Sequence, residues 1–272
     1  MSHVSPALLT RAGAQRLPRL ALWLFCTAYL MPGIFGRDPW RQDDLVSYGL
    51  MAAMAEGRTP WLAPTLGGMA LDTALLPHWL GAAFVWALGP LVGAPLAARL
   101  PFVALLALTM VLVWYATFHL ARTEAAQPVA FAFGGEAEPV AYARAIADAA
   151  LLALIASLGL LQLGHETTPE LAQLAAVATL LWALAAAPYQ PRRARIAAAT
   201  ALLLLSLSGA PAMSLAMGAA ATLVCAFSAY EAVRRSAAWV AIGAAVAAAA
   251  AGWAGTCGWR LAEGLAGAGL EH

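Results

Sequence analysis

The residues able to do chemistry are gathered in one stretch of an otherwise apolar chain. Gly36 to Trp79 carries four of the five aspartates (Asp38, Asp43, Asp44, Asp72), Arg37, Arg41, Arg58 and three of the ten tryptophans. A carboxylate such as Asp43 or Asp44 can take the proton from a hydroxyl nucleophile if it lies within hydrogen-bond reach. Arg37 and Arg41 could hold a phosphate, because a guanidinium fork matches its oxygens. Each has a simpler alternative. An aspartate at a helix start caps the helix, and an arginine beside an apolar span snorkels to the interface. His78 and Trp79 could touch sugar or phosphate, or form an aromatic pair at the membrane surface.

A second polar group lies at Gly164–Glu170, GHETTPE. His165 and Glu166 could join Asp43 around a divalent cation, since imidazole and carboxylate are both metal ligands. The plainer reading is a polar loop in which Thr168-Pro169 starts the next helix. No cofactor beyond that candidate cation is implied. His119, Asp148, Met213 and Met217 read as structural, and Cys26, Cys225 and Cys257 lack metal-type spacing.

The elements that must position these groups are helices in a membrane. The chain is 62% hydrophobic and 11% charged over 272 residues, where a soluble domain carries about 25% charged residues. Several apolar runs reach the ~20 residues that cross a bilayer. Membrane lipids are therefore partners. Nucleic acid is not expected, because no basic cluster is long enough to suggest it. All 15 basic residues are arginine, so every cationic site is permanently charged.

The expected fold is an all-α polytopic membrane protein of about seven spans. Residues 1–16 form a cytoplasmic N-terminus, 17–35 the first span, 36–98 an outside loop with interfacial helices, 99–255 six further spans and 256–272 a tail. Asp43–Glu56 should be a surface helix whose apolar stripe (Leu45, Tyr48, Leu50, Met51, Met54) lies opposite Asp44, Ser47 and Glu56. Leu75–Ala98 is the decisive segment. Gly89-Pro90 and Gly93-Ala94-Pro95 should break it before it crosses. The spans then run Arg99–Leu120, Ala145–Leu163, Leu171–Ala187, Ile196–Ser208, Pro211–Ala229 and Ala237–Gly255. This register puts Arg122, the Arg192–Arg195 cluster, Arg234-Arg235 and the N-terminus on the cytoplasmic side. It also puts His165 and Glu166 on the same face as Asp43 and Asp44.

The polar stretch resembles the membrane-embedded glycosyltransferases of the GT-C superfamily, specifically the family 39 group of aminoarabinose transferases and protein O-mannosyltransferases. Asp43-Asp44, followed by Met54 and Gly57, resembles the acidic pair of that family's first surface helix. Trp61-Leu62-Ala63-Pro64 with Gly67 or Gly68 resembles its W-x-x-P-x-x-x-G turn. Pro77-His78-Trp79-Leu80 stands in the place of its P-x-x-x-W segment, and Ala98-Arg99-Leu100-Pro101 resembles the A-R-L-P opening its second span. The resemblance implies sugar transfer from a polyprenyl-phosphate donor to a lipid, glycan or protein acceptor on the outer face of a bacterial inner membrane. Asp43 would be the base and Asp44 a supporting residue.

Two positions depart from the pattern. Thr73 stands where the family has a phosphate-binding lysine, and His165-Glu166 stand where it has a second aspartate. Family members are also commonly about twice as long. The chain is thus expected to be the conserved N-terminal transmembrane half, a short relative or a truncated form, its closing Leu270-Glu271-His272 suiting a vector-derived tail. Two other functions compete. A transporter would place ionisable residues at mid-membrane, and the expected spans carry none near their centres. A non-catalytic assembly or lipid-binding protein would account for the missing lysine.

Overall fold

A computed structural model of the chain describes residues 10–11, 13–15, 17–32, 34–35, 38–39, 41–67, 69–70, 74–157 and 165–254. Arg37, Thr73, Gly164, the end of the expected Ala145–Leu163 span and the 256–272 tail lie outside them.

The described chain is mostly helical, with one short hairpin and an isolated bridge between Thr10 and Glu136: α1 (Arg19–Leu30), α2 (Gln42–Ala55), β1 (Thr65–Leu66), β2 (Met69–Ala70), α3 (Leu75–Val92), α4 (Ala94–Ala121), a 3-10 turn (Glu124–Ala126), α5 (Pro139–Ile155), α6 (Pro169–Ala186), α7 (Pro191–Leu207), α8 (Pro211–Ala226), α9 (Glu231–Arg234) and α10 (Ala237–Ala254). Four helices open on proline (Pro139, Pro169, Pro191, Pro211). Its missing N–H is one the first turn does not need, and its fixed φ is already helical. By length and composition, α3, α4, α6 and the α9–α10 segment can each cross a bilayer; α1 and α8 are apolar but shorter. Trp23, Trp86, Leu91 and Trp253 stand exposed along these helices, the apolar outer surface that a protein embedded in lipid requires.

α4 is the central helix, packed against α3, α5 and α6. Larger side chains fill this part of the interior, among them Leu50, Met51, Met54, Phe102, Leu106 and Met110. α6, α7, α8 and α10 form a second body whose interior is mostly alanine, including Ala183, Ala198, Ala201, Ala221 and Ala247. Small residues let membrane helices approach closely where the hydrophobic effect offers no drive between them. Two hydroxyls cross these interfaces: Ser214 Oγ donates to Leu202 O at 2.7 Å and Ser206 Oγ to Ala247 O at 2.9 Å.

Two expectations are corrected. Gly89-Pro90 does not break the third helix, which runs unbroken to Val92. Pro90 forfeits its own N–H bond to the preceding turn, yet two further residues continue the helix. The break comes at Gly93, where φ is +87°, a value open to glycine and strained for other residues. The buried face of α2 is also only partly the expected one. Asp44 and Ser47 are buried with Leu50, Met51 and Met54, whereas Leu45 is 48% exposed. Here α2 packs against protein, on α3, so closely that a side chain at Gly81 would collide with Met51 Sδ.

The bundle has two chemically distinct ends. At one, Arg11 N donates to Gly135 O, Arg122 lies 4.9 Å over the Tyr189 ring and Arg195 Nε donates to Ser236 Oγ. At the other, Asp44 meets the 165–168 loop, and Gln173 Nε2 donates to Ser208 O. Ala74, just before α3, touches Gly209 at that second end, and Arg99 of α4 lines a cavity there with Glu166. The chain therefore enters α3 and starts down α4 from the same end.

In a cysteine-free background, Arg58→Cys and Arg193→Cys, both exposed, should be labelled by an impermeant maleimide from opposite sides of a sealed membrane. Labelling of both from one side would be incompatible with this arrangement.

Candidate functional site

The polar end of the bundle is built from the first turn of α2, the loop entering α6 and the first turns of α4. α2 begins after Arg41, whose backbone is extended, and no side chain caps it. Asp43 and Asp44 therefore lie inside the first turn, where the helix dipole favours carboxylates. Being adjacent, they face in different directions.

Asp44 is 1% exposed. Its Oδ1 accepts two hydrogen bonds from Thr167, at 2.9 Å from the backbone N and 2.6 Å from Oγ1. Three residues earlier, just before α2, Arg41 Nη1 donates to both oxygens of Glu166, at 3.0 and 3.3 Å. Glu166 is 1% exposed and Arg41 about one-third exposed. The guanidinium thus covers a buried carboxylate and turns its other edge outward. Asp43 is exposed and makes no hydrogen bond or ion pair among the described residues.

His165 Nε2 is 2.9 Å from Tyr29 O, and the two rings meet edge to face at 5.6 Å. This joins the end of α1 to the loop. Arg99, 4% exposed, lines a cavity of about 10 Å³ with Ile34, Phe102, Val103, His165, Glu166 and Thr167. That volume is about enough for one water molecule. Tyr48 lies on the same helix as Asp44. Burial raises its phenol pKa, as do Glu56 and Asp38, and Arg99 pulls it down in part. Tyr48 is therefore a neutral hydroxyl at physiological pH.

The structure thus brings Arg41, Asp44, His165 and Glu166 together and leaves Asp43 at their edge. It does not bring Asp43, Glu166 and His165 together as a ligand set. No group of three metal-binding side chains is found among the described residues. Glu166 faces Arg41 and His165 faces a carbonyl, whereas Asp43 faces outward. His78 and Trp79 serve elsewhere: His78 is buried with Nδ1 against Ala74 O, and Trp79 Nε1 donates to Trp61 O at 2.7 Å. The second contact ties the Trp61 turn to α3. Sequence reasoning missed two members, Arg99 and Thr167. Arg99 carried a signal, because an arginine in the second turn of a long apolar helix is costly without a polar surrounding. Thr167 carried none.

Comparison with family models, characterised proteins and solved structures gives no match.

Thr167→Val removes one of the two donors to a buried carboxylate, a loss of about 1.5–3 kcal/mol for a bond to a charged group. Its melting temperature in detergent should fall by several degrees, as should that of Asp44→Ala. Asp43→Ala should melt with the parent protein. Parent-like melting of Asp44→Ala would show that the clamp contributes nothing.

Proposed function

We propose that this protein is a membrane glycosyltransferase that moves a sugar from a polyprenyl-phosphate donor to a lipid, glycan or protein acceptor. One observation carries the reading: an exposed carboxylate, Asp43, with no partner among the described residues, stands two residues from a one-third-exposed arginine that a buried glutamate holds in place. The reaction needs a base for the acceptor hydroxyl and a cation for the departing phosphate. Asp43 takes the acceptor's proton as its oxygen attacks the anomeric carbon. The bond between that carbon and the phosphate oxygen breaks, and the polyprenyl phosphate leaves as a stabilised anion. Arg41 uses Nη1 on Glu166, which leaves Nε and Nη2 for phosphate oxygens. Asp44 acts through position, because its carboxylate is committed to Thr167.

In this reading the helices form seven spans, with α2, the hairpin and α3 at the outer interface. The arginine-rich end faces the cytoplasm of a bacterial inner membrane and the Asp44–Glu166 end faces the periplasm. The positive-inside tendency supports that orientation, as does the return of the chain from α3 to the end it left.

A second reading, a non-catalytic lipid-binding or assembly protein, is favoured by the commitment of Asp44 and Glu166 to internal partners. The cavity between Arg99 and Glu166, with room for about one water, favours it too.

Transfer of a radiolabelled sugar from a synthetic polyprenyl-phosphate donor separates the two. Asp43→Asn should lower transfer by about 10²–10⁴-fold, the span of general-base catalysis, because an amide keeps the size but cannot take the proton. Asp38→Asn, an exposed aspartate outside the group, should leave the rate unchanged. Equal transfer by Asp43→Asn and parent would remove Asp43 from the mechanism. No transfer by the parent, with donor binding retained, would favour the non-catalytic reading.

A further inference from the structure

An opening far larger than the one beside Arg99 lies between α1 and α4. α1 touches α4 and α5 only lightly, and between them is a cavity of about 540 Å³, within the ~300–1,000 Å³ of small-molecule sites. It runs the length of α1, from Leu17 to Leu30, and its walls are apolar and aromatic, with Trp23 on one side and Met110, Trp114 and Phe118 on the other. Two arginines line it at the basic end: Arg19, the first residue of α1, and Arg144, in the second turn of α5.

The carboxylate that shares the lining does not neutralise them. Asp148 lies one turn beyond Arg144 on α5, but its Oδ1 accepts from Trp114 Nε1 at 2.8 Å and its Oδ2 from Leu17 N at 3.1 Å. Among the described residues neither Arg19 nor Arg144 forms a salt bridge. Asp148 therefore braces the cavity, joining the chain before α1 to α4 and α5, and leaves two guanidinium groups at its mouth.

We propose that this cavity is a binding site for an anionic glycerophospholipid, with an acyl chain between α1 and α4 and the phosphate on Arg19 and Arg144. A chain-shaped apolar slot ending in two cations is complementary to a phospholipid of the basic-side leaflet, and basic pockets between membrane helices bind such headgroups. A wholly apolar occupant would leave both charges unused. The site is independent of the polar group around Asp44 and of any sugar transfer.

The test is native mass spectrometry of the full chain in neutral detergent, titrated separately with dioleoyl phosphatidylglycerol, dioleoyl phosphatidylcholine and undecaprenyl phosphate. Phosphatidylglycerol should bind tightest. Each of Arg19→Ala and Arg144→Ala should weaken it about five-fold, and the pair about thirty-fold. Ala107→Trp, which fills the slot and keeps both arginines, should weaken it as well. Arg193→Ala, at an exposed arginine outside the cavity, should bind as the parent does. Unchanged binding by the double variant, equal binding of phosphatidylcholine, or arginine-dependent preference for undecaprenyl phosphate would each overturn the proposal. Circular dichroism of every variant confirms that the helices are retained.

Discussion

The carboxylate of Asp44 is the constraint on which the polar end of this protein depends. A buried charge is costly unless hydrogen bonds replace its water. Thr167 replaces that water twice, with its backbone N–H and its hydroxyl. The pair locks α2 against the loop that opens α6, 123 residues further along the chain. Once α2 is fixed there, Arg41 is placed to reach Glu166, and Asp43, the next residue round the helix, is directed to the surface. One clamp thus decides which carboxylates are internal and which one stays exposed.

The rest of the molecule holds that clamp in place by two kinds of packing. Around α4, leucine, methionine and phenylalanine side chains interlock with α2 and α3. Among α6, α7, α8 and α10 the surfaces are mostly alanine, so backbones come close and serine hydroxyls reach carbonyls of neighbouring helices. The second arrangement suits a rigid support. It presents the start of α6, and with it Glu166 and Thr167, at a fixed height.

α1 is treated differently. Its far end is held by the His165–Tyr29 contact and its start by Asp148, with the cavity between. Asp148 and Asp44 thus play similar parts at opposite ends of the bundle. Each is a buried carboxylate whose donors come from distant parts of the chain, and each leaves an arginine nearby to face outward.

Composition and apolar run length were enough to give the helical, membrane-embedded class, because the bilayer demands long apolar helices whatever their packing. Most helix positions were legible too, since proline starts and glycine breaks are local steric effects. The polar residues at 41–44 and 165–166 stood out because charge is rare in this chain. Their division of labour was not legible. A helical pattern suggested that Asp44 faced water, but α2 packs on protein, and the partner that makes its burial tolerable is a threonine 123 residues away. The unbroken path through Pro90, the place of Arg99 beside Glu166 and the opening behind α1 likewise depend on contacts between segments remote in sequence. Local physics set the helices. Which of their faces meet, and so which charges are buried and which remain exposed, was decided only when they packed.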